Sequence, residues 1–236
     1  MTAPDPIDAL AEEGEIALED GEYEIALEAF ESILSQDPEH WGASLRRAEC
    51  LHLLWRTEKA LEAVRALAPP ADEEDDPDRA DLEGTILETM GKTEEADRLF
   101  SECHRLDPES YSLPVRLSAQ DFKSLLDKVL ASLPQVIREA VLEVPVLVEP
   151  KPKREIAEYE PAINPEVLGL FVGTSVGHKM SGPGGYGDVV LLFQRNLERT
   201  GASRQEVAKE LKITLLHEYG HYLGFDEEEL EHLGLG

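Results

Sequence analysis

The sequence predicts a two-part fold: a solenoid of paired helices over the first half, then a small α+β unit. Three observations predict it. The first half repeats itself at a fixed period. The charge is uneven: residues 1–110 carry 31 acidic and 9 basic side chains, while residues 111–236 carry 19 and 13. After Tyr111 the helical pattern gives way to short β-type runs between helices. A chain of 236 residues with 42% apolar side chains can bury one or two cores.

The repeat shows when LEDGEYEIALEAFESILSQDP (18–38) is laid over LETMGKTEEADRLFSECHRLDP (87–108). Ala26, Phe30 and Asp37-Pro38 match Ala96, Phe100 and Asp107-Pro108. Gly14 and Gly84 each stand 12 residues before the matched alanine, and Ala48 stands 12 before Ala60. The alanines Ala26, Ala60 and Ala96 are 34 and 36 apart. Small residues at two helix-crossing points let paired helices approach, and the proline stops the second helix. The pattern resembles the tetratricopeptide repeat, with three repeats over about residues 7–110. The middle repeat is degenerate. It has Val64 in place of Phe, and ALAPPADEEDDPD (66–78) in place of Asp-Pro, which reads as a solvated acidic loop. Ile33, Leu67 and Cys103 share one position on the second helix, which makes Cys103 a core residue. Cys50 and Cys103 lack a CxxC partner and read as buried reduced thiols. Solenoids of this kind present a concave face to a peptide or protein. A protein or peptide partner on that face is therefore expected.

In the second half, AQDFKSLLDKVLASLPQVIREAV (119–141) has helical spacing, with Pro134 opening a second short helix. VPVLVEP (144–150) is a short β-type run. KPKREIAEYEPAINP (151–165) is a loop. VLGLFVGTSV (167–176) and DVVLLFQRNLE (188–198) are strands, joined by the loop HKMSGPGGYG (178–187). Gly182, Gly184 and Gly187 have G-x-G-x-x-G spacing but precede a strand, so no helix N-terminus is there to hold a pyrophosphate. DVVLL (188–192) is a candidate edge strand for pairing with an extended peptide. The last helix starts at a Ser203–Glu206 capping box and carries Leu, Ile and Tyr on nearly every side from Leu211 onward.

That buried helix holds His217, Glu218 and His221, an H-E-x-x-H spacing that a composition like this produces by chance roughly 0.03 times. Two histidines at i and i+4 lie on one side of a helix and suit a metal. Burying them without a partner is costly. Fifteen residues follow His221 in this sequence, so the third ligand is expected close by. Gly224 can end the helix and turn the chain back. Asp226, Glu227, Glu228, Glu229 and His232 are then in range.

The C-terminal half resembles the small minimal-zincin metallopeptidase-like family. The match is carried by Phe122, VLVE (146–149), LGLFVGTSV (168–176), VVLLFQRNLER (189–199) and EVAKELKITLLHEYGHYLGFDEEEL (206–230). Two departures stand out: residues 151–165 are longer and more charged than the family suggests, and Glu227 stands where Asp is commoner. The resemblance implies a compact α+β fold, a zinc ion (Zn2+) held by His217, His221 and Glu227, and a peptidase assignment. Asp226 and His232 remain alternatives for the third ligand. The fold class expected is thus an α-helical tetratricopeptide-repeat solenoid followed by a small α+β zincin-like domain, with residues 1–112 as the repeats and 116–236 as the zincin-like unit.

Two neutral histidines and one carboxylate leave a zinc site at +1 with an open position, where a bound water is acidified. Glu218 is the expected general base. Tyr186 and His178 are candidate oxyanion donors. The alternative is a non-catalytic repeat scaffold with a structural zinc. A net charge of −28 excludes a general basic surface for nucleic acid or an anionic membrane. The N-terminus lacks a secretory pattern and no run approaches a membrane span, so a cytoplasmic protein is expected.

Overall fold

A computed structural model describes residues 6–67, 76–158, 163–173 and 188–232, apart from the side chains of residues 158, 227 and 231. Most of the acidic run at 66–78 lies outside these residues, as do Gly182, Gly184, Gly187, Tyr186 and His178. The chain divides into two compact units. One comprises Met1–Leu113 with Lys153–Pro165, the other Pro114–Pro152 with Glu166–Gly236. The loop at 153–165, expected within the second module, therefore groups with the first.

The first unit is three helix pairs: α1 (Pro6–Glu19) with α2 (Tyr23–Gln36), α3 (Trp41–Leu53) with α4 (Thr57–Ala66), and α5 (Pro77–Thr89) with α6 (Thr93–Leu106). The repeated small residues explain the pairing. A Cβ on Gly14 would come within 2.7 Å of the Phe30 ring, and one on Gly84 within 2.7 Å of Phe100. Glycine is the seat for the ring. In the middle repeat both members change together, to Ala48 and Val64, and both are fully buried. A larger seat is matched by a smaller guest, so the degenerate repeat keeps its core filled. Ala26, Ala60 and Ala96 are also fully buried, as are Ile33, Cys50 and Cys103. Neither cysteine forms a disulfide, and burial pushes the Cys50 thiol up to about 12. Arg46–Glu15, Arg47–Glu31 and Arg56–Glu24 form partly exposed ion pairs between helices.

The three turns inside the pairs share one geometry. Glu22, Arg56 and Lys92 donate their N–H groups to Ala17, Leu51 and Leu87, five residues back. That closure requires a left-handed residue just before each donor. Gly21 and Gly91 supply it at φ 74° and 76°, but the middle turn uses Trp55 at φ 58°. For a bulky L-residue this conformation costs roughly 1–2 kcal/mol.

The second unit opens with α7 (Ala119–Ser132) and α8 (Gln135–Glu143), which Pro134 separates from its N-cap position. A three-stranded sheet follows, formed by β1 (Val146–Glu149), β2 (Gly169–Val172) and β3 (Val189–Phe193) in the order β1-β3-β2. β1 pairs with β3 in parallel, and β2 pairs antiparallel. β3 is the central strand. DVVLL is therefore not an edge: Val190, Leu192 and Phe193 are fully buried, and both sides of the strand are hydrogen-bonded.

The strand also ends sooner than the sequence suggests. Residues Gln194–Leu197 form a helical turn, α9. The cause is Glu198, whose side chain is fully buried. The turn brings Gln194 (2.6 Å) and Arg195 (2.8 Å) onto its carboxylate, and Arg116 (3.3 Å) and the Leu117 N–H (3.0 Å) complete the set. A buried carboxylate is tolerable with donors of this number.

α10 (Arg204–Leu223) packs on this sheet and on α7. Ser203 caps it by accepting the Glu206 N–H, while Glu206 reaches back to the Ala202 N–H at 2.8 Å, one residue further than expected. Val207, Leu211, Leu215 and Tyr219 are fully buried. α11 (Glu227–His232) follows after a turn at Gly224. No described helix is long and apolar enough to cross a membrane.

Candidate metal centre

Glu218 of α10 lies where the helix crosses β2. The crossing is close because position 169 is glycine. A Cβ there would meet Thr214 Cγ2 at 2.6 Å and Glu218 Cγ at 3.2 Å. With no side chain in the way, Glu218 reaches the strand, and its Oε2 accepts the Phe171 N–H at 2.5 Å. Glu218 is 7% exposed. A carboxyl so buried needs a partner, and the strand supplies one.

His217 and His221 stand one turn apart on the same side of α10. Their Nε2 atoms are 2.9 Å from each other, with the rings nearly perpendicular at 87° and centroids 4.5 Å apart. Both Nε2 atoms thus face a common point. Tetrahedral ligation by two imidazoles at about 2.0–2.1 Å separates the two nitrogens by about 3.4 Å. The pair would open by about half an ångström, a small rotation about the side-chain bonds. His221 Nδ1 lies 3.2 Å from the Phe225 carbonyl. With the proton on Nδ1, donated to that oxygen, Nε2 presents its lone pair, the tautomer a ligating histidine needs.

Phe225 is placed by the end of the helix. Gly224 takes φ 100°, and the N–H groups of Gly224 and Phe225 both return to the Gly220 carbonyl at 3.0 Å. Only glycine enters this conformation at no steric cost. The chain then runs back along α10. A Cβ on Gly220 would approach Leu230 Cδ2 to 2.5 Å, so α11 is seated on α10 beside His221.

Asp226 and Glu229 close a reciprocal cap at the start of α11. Asp226 Oδ1 accepts the Glu229 N–H at 2.9 Å, and Glu229 Oε2 accepts the Asp226 N–H at 3.1 Å. This D-x-x-E capping pattern lies in the stretch that the sequence offers for the third metal ligand. His232 Nδ1 lies 2.7 Å from the Glu228 carbonyl. Glu227 begins α11, and its side chain is outside the described residues. Among those residues no cluster of three or more metal-ligating side chains is present.

Two further tyrosines hold the helix. Tyr219 donates to the Val144 carbonyl at 2.7 Å, and burial pushes its phenol well above the usual range. Tyr222 donates to Glu143 at 2.7 Å and meets Phe171 edge-on at 5.7 Å. Sequence reasoning placed all three H-E-x-x-H residues on one buried helix. It missed Gly169, Phe171 and Gly220, whose roles exist only across elements.

Residues 141–236 match the family model described as zincin-like metallopeptidase. Residues 12–77 match the model of the tetratricopeptide repeat. No curated protein matches the chain.

Proposed function

We propose that the zincin-like unit is a zinc-dependent peptidase and that the repeats recruit its protein substrate or partner. The observation that carries this reading is the convergence of the His217 and His221 Nε2 atoms at 2.9 Å beside a buried glutamate. Zinc would be held by His217, His221 and Glu227. Glu227 is favoured over its neighbours because Asp226 and Glu229 are engaged in capping α11. When bound, zinc supplies a Lewis acid for the scissile carbonyl and an acidified water.

The rest of the chemistry belongs to the chain. Glu218 takes the proton of the attacking water and delivers it to the leaving amine. The Phe171 N–H fixes one carboxylate oxygen and so sets the direction of the other. The Phe225 carbonyl keeps His221 in its ligating tautomer. The repeats would supply the binding surface for a protein, as such solenoids do.

One observation favours a second reading. Glu218 already has a structural task, holding the edge strand β2 through Phe171. A non-catalytic repeat scaffold with a zinc-stabilised second unit would keep the same residue. Glu218→Gln separates the two. Glutamine retains an oxygen for the Phe171 N–H, so fold and zinc should persist. Hydrolysis of a peptide library should fall about 10²–10⁴-fold, the usual worth of a general base. Undiminished hydrolysis would remove Glu218 from the chemistry. Zinc loss would make it a support for the ligands. If the zinc-loaded parent cuts neither the library nor proteins captured by residues 1–112, the scaffold reading stands.

A further inference from the structure

The turn between α3 and α4 departs from its two siblings in a way that the repeat itself does not require. Gly21 and Gly91 serve the same left-handed closure without strain. A side chain at that position also has nothing local to rest on: a Cβ on Gly91 would meet no atom within 4 Å, and one on Gly21 would meet only the Tyr23 hydroxyl at 3.9 Å. Trp55 nevertheless occupies the strained position and is only 8% exposed. Strain at a bulky residue points to a task outside the local fold.

The task is visible within the first unit. The Trp55 indole N–H donates to the Ile163 carbonyl at 2.8 Å, across 108 residues of sequence. The next residue, Asn164, donates through Nδ2 to the Tyr23 hydroxyl at 2.7 Å. Ile163 and Pro165 are buried. Tyr23 stands two residues past Gly21, where the other repeats have Thr57 and Thr93. The first two repeats thus each place one aromatic donor or acceptor beside the same turn, and the third places none. Pro165 biases Asn164 toward an extended backbone, which presents the Ile163 carbonyl and the Asn164 amide in succession.

We propose that the Tyr23 and Trp55 turns form a docking site for an extended aliphatic–Asn–Pro segment, and that its resident occupant is Ile163–Pro165 of the same chain. The segment lies in sequence between β1 and β2 and belongs to the repeat unit. A tethered occupant competes at an effective concentration of roughly millimolar. A protein partner using this face must carry similar chemistry and displace it. The site stands independently of whether the second unit hydrolyses peptides.

Hydrogen exchange on the full chain tests the assignment. Trp55→Gly installs the residue that the sibling turns already use, so α1–α6 should keep their protection. Exchange across 153–165 should rise at least about tenfold, with Trp55→Phe in between because it keeps a ring and loses the N–H. Unchanged exchange across 153–165 in a folded Trp55→Gly protein would overturn the proposal. If that variant does not fold, Asn164→Ala in a Trp41→Phe background reports through the remaining indole. Emission should shift to the red as Trp55 is uncovered. An unshifted spectrum would refute the docking.

Discussion

In the repeat unit a glycine seats a phenylalanine ring, at Gly14 and again at Gly84. In the second unit a glycine of a strand, Gly169, seats a helix. The contacts are equally close, at 2.7 Å and 2.6 Å for an added Cβ. Their consequences differ. The ring seats recur, and the middle repeat shows a second solution to the same volume, Ala48 with Val64. The seat at Gly169 brings Glu218 to the Phe171 N–H and has no counterpart among the described residues of the repeats. Packing that recurs can be exchanged part by part. Packing that occurs once ties the fold to the site.

The largest expected effect sharpens this contrast. Tyr219 is fully buried at the centre of the second unit and bonds the Val144 carbonyl. Tyr219→Ala should cost about 3–5 kcal/mol, the range for deleting a large buried ring, and the zinc content of the purified protein should fall with it. Phe30→Ala should cost a similar amount in the repeats but leave zinc bound. Calorimetry with metal analysis on both variants makes the comparison. If Phe30→Ala also releases zinc, the two units share one cooperative fold and the contrast fails.

What the sequence made legible follows the same division. The repeats could be found by laying the chain over itself, since each Gly–Phe seat is stated twice. Helix α10 was legible because its signals are local: Ser203 at its start, Gly224 at its end, two histidines one turn apart. Strand order was not. A run such as VVLLF reads the same at the centre of a sheet as at its edge, and only pairing with both β1 and β2 decides. Nor does spacing disclose that Glu218 would find the Phe171 N–H, 47 residues earlier in sequence. Trp55 could have been noticed, since it stands in register with Gly21 and Gly91. Its meaning needed Ile163 beside it.

A middle-sized effect tests whether the seats differ as argued. Gly14→Ala and Gly169→Ala each force an overpacked contact, typically worth about 1–3 kcal/mol. The first should be rescued by Phe30→Val, because Ala with Val is the pair that Ala48 and Val64 already use. A double-mutant cycle by thermal melting would show a favourable coupling there. For Gly169→Ala, trimming Thr214 to Ser should recover less, since the Leu191 backbone oxygen also lies 3.2 Å from the added Cβ. Full rescue at Gly169 would mean its seat is as exchangeable as the others.

The smallest effect lies at the end of the repeats, where Asp107 and Asp37 hold the same repeated Asp-Pro position. Asp107 accepts the N–H groups of Glu109 and Ser110 at 3.1 Å each, and Asp37 accepts that of Glu39 at 3.2 Å. Hydrogen bonds from Ser110, side chain then backbone, hold the Asp107 carboxyl below its ordinary value of 3.8. A carboxyl with a lowered folded-state pKa favours the fold above its unfolded value, near pH 4, and loses that contribution as pH falls through the folded value. Asp107→Asn removes the titration and keeps an acceptor. The melting temperatures of variant and parent should therefore differ by a constant above about pH 4 and converge or cross below it. The chain has many other carboxylates, but they titrate in both proteins and cancel in the difference. A constant difference down to pH 2.5 at Asp107 would show that its turn does not favour the charged form.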